Sequence, residues 1–166
     1  CGRPASRPDG LTSPPSMRGF RVKVKAIARQ QVVTARPVET IVIAAQRMAS
    51  RNVGSLVVID DREVPVGIIT DRDVALKVIG TGSDPATTTV EDVMSREPTA
   101  IDEEASLETV LGVMSRCGVR RLPVVGLNGE LTSVVSLDDV HAQLVDILHS
   151  MSGLYAQQSP ERYTQP

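Results

Sequence analysis

The stretch VGSLVVIDDREVPVGIITDRDV, residues 53–74, contains two apolar runs separated by a polar, turn-forming segment. This pattern predicts two strands, 55–60 and 66–70, joined as a hairpin. Thr70 and Asp73 follow directly, at the start of an apolar segment that predicts a helix ending at Gly80. The two side chains fit the spacing of a helix capping box, and they could instead hold a ligand above the helix start.

The chain repeats this pattern further on. When the sequence is shifted by 66 residues without gaps, residues 24–79 align with residues 90–145, and the apolar positions remain in register. The Thr70 and Asp73 pair recurs in this alignment as Ser136 and Asp139. The sequence therefore predicts an internal duplication rather than one continuous domain.

Both copies predict the same order of elements, β-α-β-β-α. In the first copy a short extended segment (32–35) precedes an amphipathic helix (38–50), and the equivalents in the second copy are 98–101 and 105–116. Either copy alone is near the lower size limit for a stable core. We therefore predict an α/β protein in which the two copies pack together and leave a ligand site between them.

The predicted divisions are a basic leader (1–21), repeat 1 (22–80), a linker (81–89), repeat 2 (90–150) and a loose tail (151–166). The net charge is −2, yet residues 1–29 carry seven Arg or Lys and a single acid, which predicts a disordered leader. A nucleic-acid contact by this leader is the weaker alternative. Residues 24–150 contain no aromatic side chain, which disfavours base stacking on single strands.

Other functional classes find little support in the sequence. No apolar run approaches the roughly 18–20 residues that span a bilayer. Cys1 and Cys117 are the only cysteines, which argues against a disulfide framework and favours the reducing cytoplasm. His141 and His149 lack a nearby Cys partner for a metal site. No nucleophile–base pair or phosphate loop occurs, so we predict that the chain is not an enzyme.

The duplicated stretches resemble the tandem CBS domain, also called the Bateman module. The resemblance covers about residues 22–150. Its matching stretches are VGSLVVIDDREVPVGIITDRDV, GVRRLPVVGLNGELTSVVSLDDV and VEDVMSREPTAIDEEASL. It implies two CBS repeats packed as a pseudo-two-fold pair, commonly as a disc-shaped homodimer without chemistry of its own. It also implies clefts that bind AMP, ADP or ATP, with NAD or S-adenosylmethionine as alternatives, and control of an unknown attached or partner protein.

The resemblance also implies roles for particular residues. Its Ser/Thr-x-x-Asp signature falls on Thr70 and Asp73 and on Ser136 and Asp139, which would bind ribose because a carboxylate can accept from two neighbouring hydroxyls. Phosphate contacts fall on Arg72, Arg120 and Arg121, and adenine contacts on Val33, Thr34 and Val53 in one cleft and Thr99, Ala100 and Val119 in the other.

The resemblance predicts that the two clefts differ. It assigns Arg120 and Arg121 to the cleft of Thr70, whereas the equivalent positions in the first copy are Gly54 and Ser55. The cleft of Ser136 would therefore lack a basic pair and prefer a less charged ligand, or stay empty. Ser133 also stands where the family has a glycine, which predicts a less close approach of the ligand. Two alternatives remain open: a ligand-free oligomerisation module, and the regulatory fragment of a larger enzyme or transporter.

Overall fold

The computed structural model describes residues 22–29 and 31–158, and the predicted α/β fold of two repeats is confirmed. A 3₁₀ turn (Val24–Ala26) comes first. The first repeat contains β1 (Thr34–Ala35), α1 (Ile41–Arg51), β2 (Ser55–Ile59), β3 (Pro65–Thr70) and α2 (Asp71–Asp73), which continues as a π-helical segment (Val74–Ile79). Next come α3 (Val90–Val93), β4 (Ser95–Arg96), β5 (Ile101–Asp102), α4 (Leu107–Cys117), β6 (Arg121–Val125), β7 (Leu131–Ser136) and α5 (Leu137–Gln158).

The two sheets share one topology. In the first sheet β1 is parallel to β2, and β2 pairs antiparallel with β3, so that Ser55 lies opposite Thr70. In the second sheet β5 and β6 are parallel, β6 and β7 are antiparallel, and Arg121 lies opposite Ser136. In both copies, the residue just before the second helix (Thr70 or Ser136) therefore lies beside the first residue of the neighbouring strand (Ser55 or Arg121).

Helices α1 and α4 form where the spacing of apolar residues predicts an amphipathic helix. Helix α1 buries Ile41, Ala44 and Met48 along one face, and α4 buries its own apolar face in the second core. Helix α1 ends at Asn52 with φ of 52°, and α4 ends at Gly118 with φ of 65°. The left-handed backbone conformation of these two residues ends each helix and turns the chain toward the strand that follows, β2 or β6.

The first segment of each sequence repeat packs against the other repeat, which the predicted division at 22–80 and 90–150 does not anticipate. Val24 lies in the core of the second repeat, and its N–H donates to the carbonyl of Ala105 at 2.9 Å. Val90, Val93 and Met94 lie in the core of the first repeat, and β4 pairs with β3. We call residues 22–29 and 90–96 the crossing segments.

The two crossing segments pack in equivalent places on opposite repeats, as expected for two repeats related by a pseudo-two-fold axis. Ser95 pairs with Ile68 on the edge of β3, and Arg29 pairs with Val134 on the edge of β7. Each pair shifts onto the other by 66 residues. The predicted linker at 81–89 also has a defined place, because the carbonyl of Thr88 accepts from the N–H of Ile41 at 3.0 Å.

The last helix corrects the predicted start of the loose tail at 151. Helix α5 continues to Gln158, and the hydroxyls of two of its serines are satisfied within the helix. The Ser150 hydroxyl donates to the carbonyl of Asp146 at 2.9 Å, and that of Ser152 donates to Leu148 at 3.0 Å. The rest of the predicted tail (159–166) and the predicted leader (1–21) lie outside the described residues. Within the described part of the chain, no helix is both long and apolar enough to cross a membrane.

Candidate functional site

Two clefts lie between the repeats, and each contains one Ser/Thr and Asp pair. The cleft of Thr70 and Asp73 has a volume of about 710 Å³, and we call it the Thr70 cleft. The cleft of Ser136 and Asp139 has a volume of about 220 Å³, and we call it the Ser136 cleft. Each cleft combines the helix start of one repeat with strand and helix ends of the other, so neither repeat forms a cleft alone.

Thr70 and Asp73 form a complete capping box at the start of α2. The N–H of Thr70 donates to Oδ2 of Asp73 at 3.0 Å, and the N–H of Asp73 donates to Oγ1 of Thr70 at 3.1 Å. The Thr70 hydroxyl donates to Oδ2 at 2.6 Å, and Nζ of Lys77 lies 2.8 Å from Oδ1. A carboxylate offers about four acceptor sites, so this carboxylate retains capacity for a ligand hydroxyl.

Ser136 and Asp139 repeat this geometry at the start of α5. Oδ2 of Asp139 accepts from the N–H of Ser136 at 2.9 Å and from its hydroxyl at 2.5 Å, and Ser136 Oγ accepts from the N–H of Asp139 at 3.2 Å. Here the cation on Oδ1 is Arg29, whose Nε lies 2.9 Å away. Arg29 belongs to a crossing segment, and its separation of 110 residues from Asp139 hides this contact from the sequence.

Both aspartates remain ionised at neutral pH. Burial raises the pKa of the Asp73 carboxyl, but hydrogen bonds from Lys77 and Thr70 outweigh burial and hold this pKa below its usual value. Burial likewise raises the pKa of Asp139, and hydrogen bonds from Ser136 and Arg29 bring it below its usual value. Each cleft therefore offers a negatively charged acceptor to a donor such as a ribose hydroxyl.

The same motif occurs a third time, outside both clefts. Thr89 and Asp92 form a capping box at the start of α3, where Oδ2 of Asp92 accepts from the N–H of Thr89 at 3.0 Å and from its hydroxyl at 2.5 Å. Asp92 is exposed and lines neither cleft. The capping geometry alone therefore does not indicate a ligand site, and the position of the box between the repeats distinguishes the other two.

The structure brings the three arginines assigned to phosphate into the Thr70 cleft. Arg72, Arg120 and Arg121 all line it, and Arg121 lines the Ser136 cleft as well. Gly54 and Ser55 line the Ser136 cleft as the alignment of the repeats predicts. This cleft lacks a basic pair at the positions equivalent to Arg120 and Arg121, but Arg29 and Arg121 reach it from other parts of the chain.

Four of the six residues assigned to adenine line the clefts. Val33 and Val53 line the Ser136 cleft, and Thr99 and Val119 line the Thr70 cleft. Thr34 lies instead in a shallow groove along α1. Ala100 is exposed and lines neither cleft. At the start of β1 and of β5, the clefts are therefore lined by residues that precede the strand, Val33 and Thr99.

The departure at Ser133 has its origin in packing. Ser133 is buried and, like Gly67, lines neither cleft. A Cβ on Gly67 would collide with Sδ of Met94, so the Met94 side chain would have to shift to admit any larger residue there. In the second repeat the position equivalent to Met94 is Ala28, and this smaller side chain is compatible with Ser133. Ser133 therefore does not lie where it could limit the approach of a ligand. Its larger side chain is instead matched by the smaller side chain of Ala28, whereas Gly67 is matched by the larger Met94.

Among the side chains that the structure describes, no group of three or more His, Cys, Asp or Glu residues could hold a metal ion. His141 and His149 belong to no such group.

The family model of the CBS domain matches residues 24–80 and 90–146. An uncharacterized protein of Methanopyrus kandleri is 35% identical over 119 residues, which span 72% of this chain and 61% of the relative. The CBS domain-containing protein YhcV of Bacillus subtilis is 38% identical over 117 residues, which span 70% of this chain and 81% of the relative.

Solved structures of CBS proteins share this fold. The CBS domain pair of protein MJ0100, in complex with 5-methylthioadenosine and S-adenosylmethionine, is 25% identical, covers 76% of this chain and 98% of its own, and has a TM-score of 0.68. CBSX2 in complex with AMP is 26% identical, covers 75% and 97%, and has a TM-score of 0.65. A hexameric CBS-CP12 protein from bloom-forming cyanobacteria is 29% identical, covers 72% and 69%, and has a TM-score of 0.64. With the family model matched twice and both clefts at the boundary between the repeats, the chain belongs to the CBS domain family and consists of a tandem CBS pair.

Proposed function

We propose that the chain is a stand-alone regulatory module that binds adenosine-containing ligands in the clefts between its CBS repeats. The observation that carries this proposal is the ionised aspartate in each cleft, Asp73 or Asp139, held by its capping box with acceptor capacity remaining. The acceptor site that remains on each carboxylate matches one ribose hydroxyl. The AMP complex of CBSX2 and the S-adenosylmethionine complex of MJ0100 support the ligand class.

AMP, ADP and ATP are the proposed ligands, with NAD and S-adenosylmethionine as alternatives. The basic residues Arg72, Arg120 and Arg121 favour a phosphorylated ligand in the Thr70 cleft. The bound nucleotide would act as a metabolic signal rather than as a substrate, and the proposed output is a change in an attached or separate protein. A cytoplasmic location accords with this role, since adenine nucleotides are most abundant there.

A thermal-shift panel tests this function. A ligand at 100 times its dissociation constant stabilises the folded state by about 2.7 kcal/mol. For a chain of this size that corresponds to a rise in melting temperature of roughly 5–10 °C. We expect this rise with AMP or ATP and a much smaller one with 2′,3′-dideoxy-AMP, which lacks the hydroxyls that the aspartates would bind. If no adenosine compound raises the melting temperature, the chain is not an adenosine sensor.

We further propose that the module is a homodimer. Five large apolar side chains are exposed on the described helical residues after the capping boxes: Leu76 and Ile79 in the first repeat, and Leu144, Leu148 and Met151 in the second. Covering them with a second copy would stabilise the pair. Sedimentation velocity is expected to give twice the 17.8 kDa of one chain. A hexamer, as in CBS-CP12, or a monomer would contradict this assembly.

A further inference from the structure

The two clefts differ strongly in charge. The Thr70 cleft is lined by five arginines and only two acids, Asp73 and Glu97; the arginines are Arg72, Arg96, Arg116, Arg120 and Arg121. The Ser136 cleft is lined by two arginines, Arg29 and Arg121, and by two acids, Asp138 and Asp139. One cleft therefore has a clear excess of positive charge, and the charges lining the other cleft balance.

Most arginines of the Thr70 cleft are available to a ligand. Arg72, Arg116 and Arg121 are exposed and form no ion pair with any described carboxylate. The side chain of Arg120 is 75% exposed, and its only described carboxylate partner, Asp138, lies 3.7 Å away and is itself 69% exposed, so this pair contributes little. Arg96 is held more firmly, since it donates to the carbonyl of Glu91 at 3.1 Å. Guanidinium groups bind phosphate oxygens through paired hydrogen bonds, so this set suits a chain of phosphates.

The main cation of the Ser136 cleft is already engaged. Nε of Arg29 lies 2.9 Å from Asp139, whose side chain is only 10% exposed, and backbone hydrogen bonds to Val134 fix the Arg29 main chain. The equivalent of Arg29 in the other repeat is Ser95, so the Thr70 cleft has no such guanidinium on its aspartate. A phosphate in the Ser136 cleft would have to compete with Asp139 for Arg29.

The volumes point in the same direction. Pockets that enclose an organic ligand of moderate size measure roughly 300–1,000 Å³. The Thr70 cleft falls within this range at about 710 Å³, whereas the Ser136 cleft is smaller at about 220 Å³. The Thr70 cleft therefore has more room for a polyphosphate chain added to an adenosine than the Ser136 cleft has.

We propose that the two clefts divide adenosine ligands by charge. The Thr70 cleft binds adenine nucleotides with two or three phosphates, and the Ser136 cleft binds adenosine compounds that carry at most one phosphate. This division rests on the proposed function, because it assigns a ligand class to each of the two clefts. It gives the module two separate inputs, and Arg72 and Arg116 are specificity-determining residues of the first.

Calorimetric titration of the full chain with ATP and with adenosine tests the division. In the double variant Arg72→Gln and Arg116→Gln, the affinity for ATP should fall roughly tenfold to 100-fold, and that for adenosine should change by less than about threefold. The control is Arg62→Gln, an exposed arginine in the first hairpin turn that lines neither cleft. Asp73→Asn should weaken ATP binding roughly tenfold to 100-fold, and Asp139→Asn should weaken adenosine binding to a similar extent.

Two outcomes would overturn the division while leaving the adenosine function intact. One is loss of ATP binding in Asp139→Asn rather than in Asp73→Asn. The other is an equal loss of ATP and adenosine binding in the arginine double variant. A failure of the proposed function is distinct from both, since neither ATP nor adenosine would then bind the unaltered chain. Raising the salt concentration should weaken ATP binding and leave adenosine binding nearly unchanged. Salt screens the attraction between the arginines and the phosphates of ATP, and adenosine carries no phosphate.

Discussion

Replacing Asp73 with Asn is expected to weaken nucleotide binding in the Thr70 cleft by roughly tenfold to 100-fold. The carboxylate of Asp73 is ionised at neutral pH, because hydrogen bonds from Lys77 and Thr70 hold its pKa below the usual value. One acceptor site remains on this carboxylate, and a charge-assisted hydrogen bond from a ribose hydroxyl is worth about 1.5–3 kcal/mol, against about 0.5–1.5 for a neutral one. The substitution removes the charge and keeps the shape, so the loss of affinity measures the charged acceptor.

The capping box complicates this experiment, because Asp73→Asn also weakens the start of α2. Asp92→Asn provides the matched control, since Asp92 forms the same box with Thr89 outside both clefts. Both variants should lose about 1 kcal/mol of unfolding free energy in urea titrations. Only Asp73→Asn should lose affinity in calorimetric titrations at a temperature where both variants remain folded. Equal affinity in the two variants would mean that capping is the whole role of Asp73.

Truncating Met94 to Ala is expected to lower the free energy of unfolding by about 2–4 kcal/mol. Met94 lies on a crossing segment, is 9% exposed and packs in the core of the first repeat. Its side chain covers Gly67, where an added Cβ would lie 2.3 Å from Sδ. Removing the side chain leaves a cavity at the junction between the repeats, so the loss should appear as a lower urea midpoint with an unchanged slope.

Gly67→Ser provides the second half of a double-mutant cycle. Alone it should cost about 1–3 kcal/mol by overpacking against Met94. Combined with Met94→Ala it reproduces the Ser133 and Ala28 pair of the second repeat, so the combined loss should be smaller than the two single losses added together, by about 1 kcal/mol or more. The control is Ile43→Ala in place of Met94→Ala, because Ile43 lies on the exposed side of α1. Strictly additive losses would show that Gly67 and Met94 do not share one packing site.

Much of the fold could be predicted because its signals are local. The hairpin of 53–74 is encoded by two apolar runs and the turn between them, and helices α1 and α4 are encoded by apolar spacing that the structure buries. The shift of 66 residues then fixes the order of elements in both copies without reference to any contact. The capping boxes could be predicted for the same reason, because Thr70 and Asp73 are only three residues apart in the chain.

The candidate site could be predicted only in part. The resemblance to the CBS family nominated Arg72, Arg120 and Arg121, and these three line the Thr70 cleft. Arg29 was missed because its contact with Asp139 spans 110 residues and comes from a segment with no motif of its own. The charge difference between the clefts follows from this contact and from Arg96 and Arg116, whose separate places in the chain give no sign that they meet.

The sequence by itself determined the duplication, the order of strands and helices, and the position of one Ser/Thr and Asp pair in each copy, because these depend on residues within a few turns of one another. Tertiary structure decided which repeat each crossing segment packs against and which cations reach each aspartate. It also decided that Gly67 packs against Met94, whereas the equivalent Ser133 is paired with the smaller Ala28. Those outcomes depend on how two folded surfaces fit together, and residues far apart in the chain meet only after both repeats have packed.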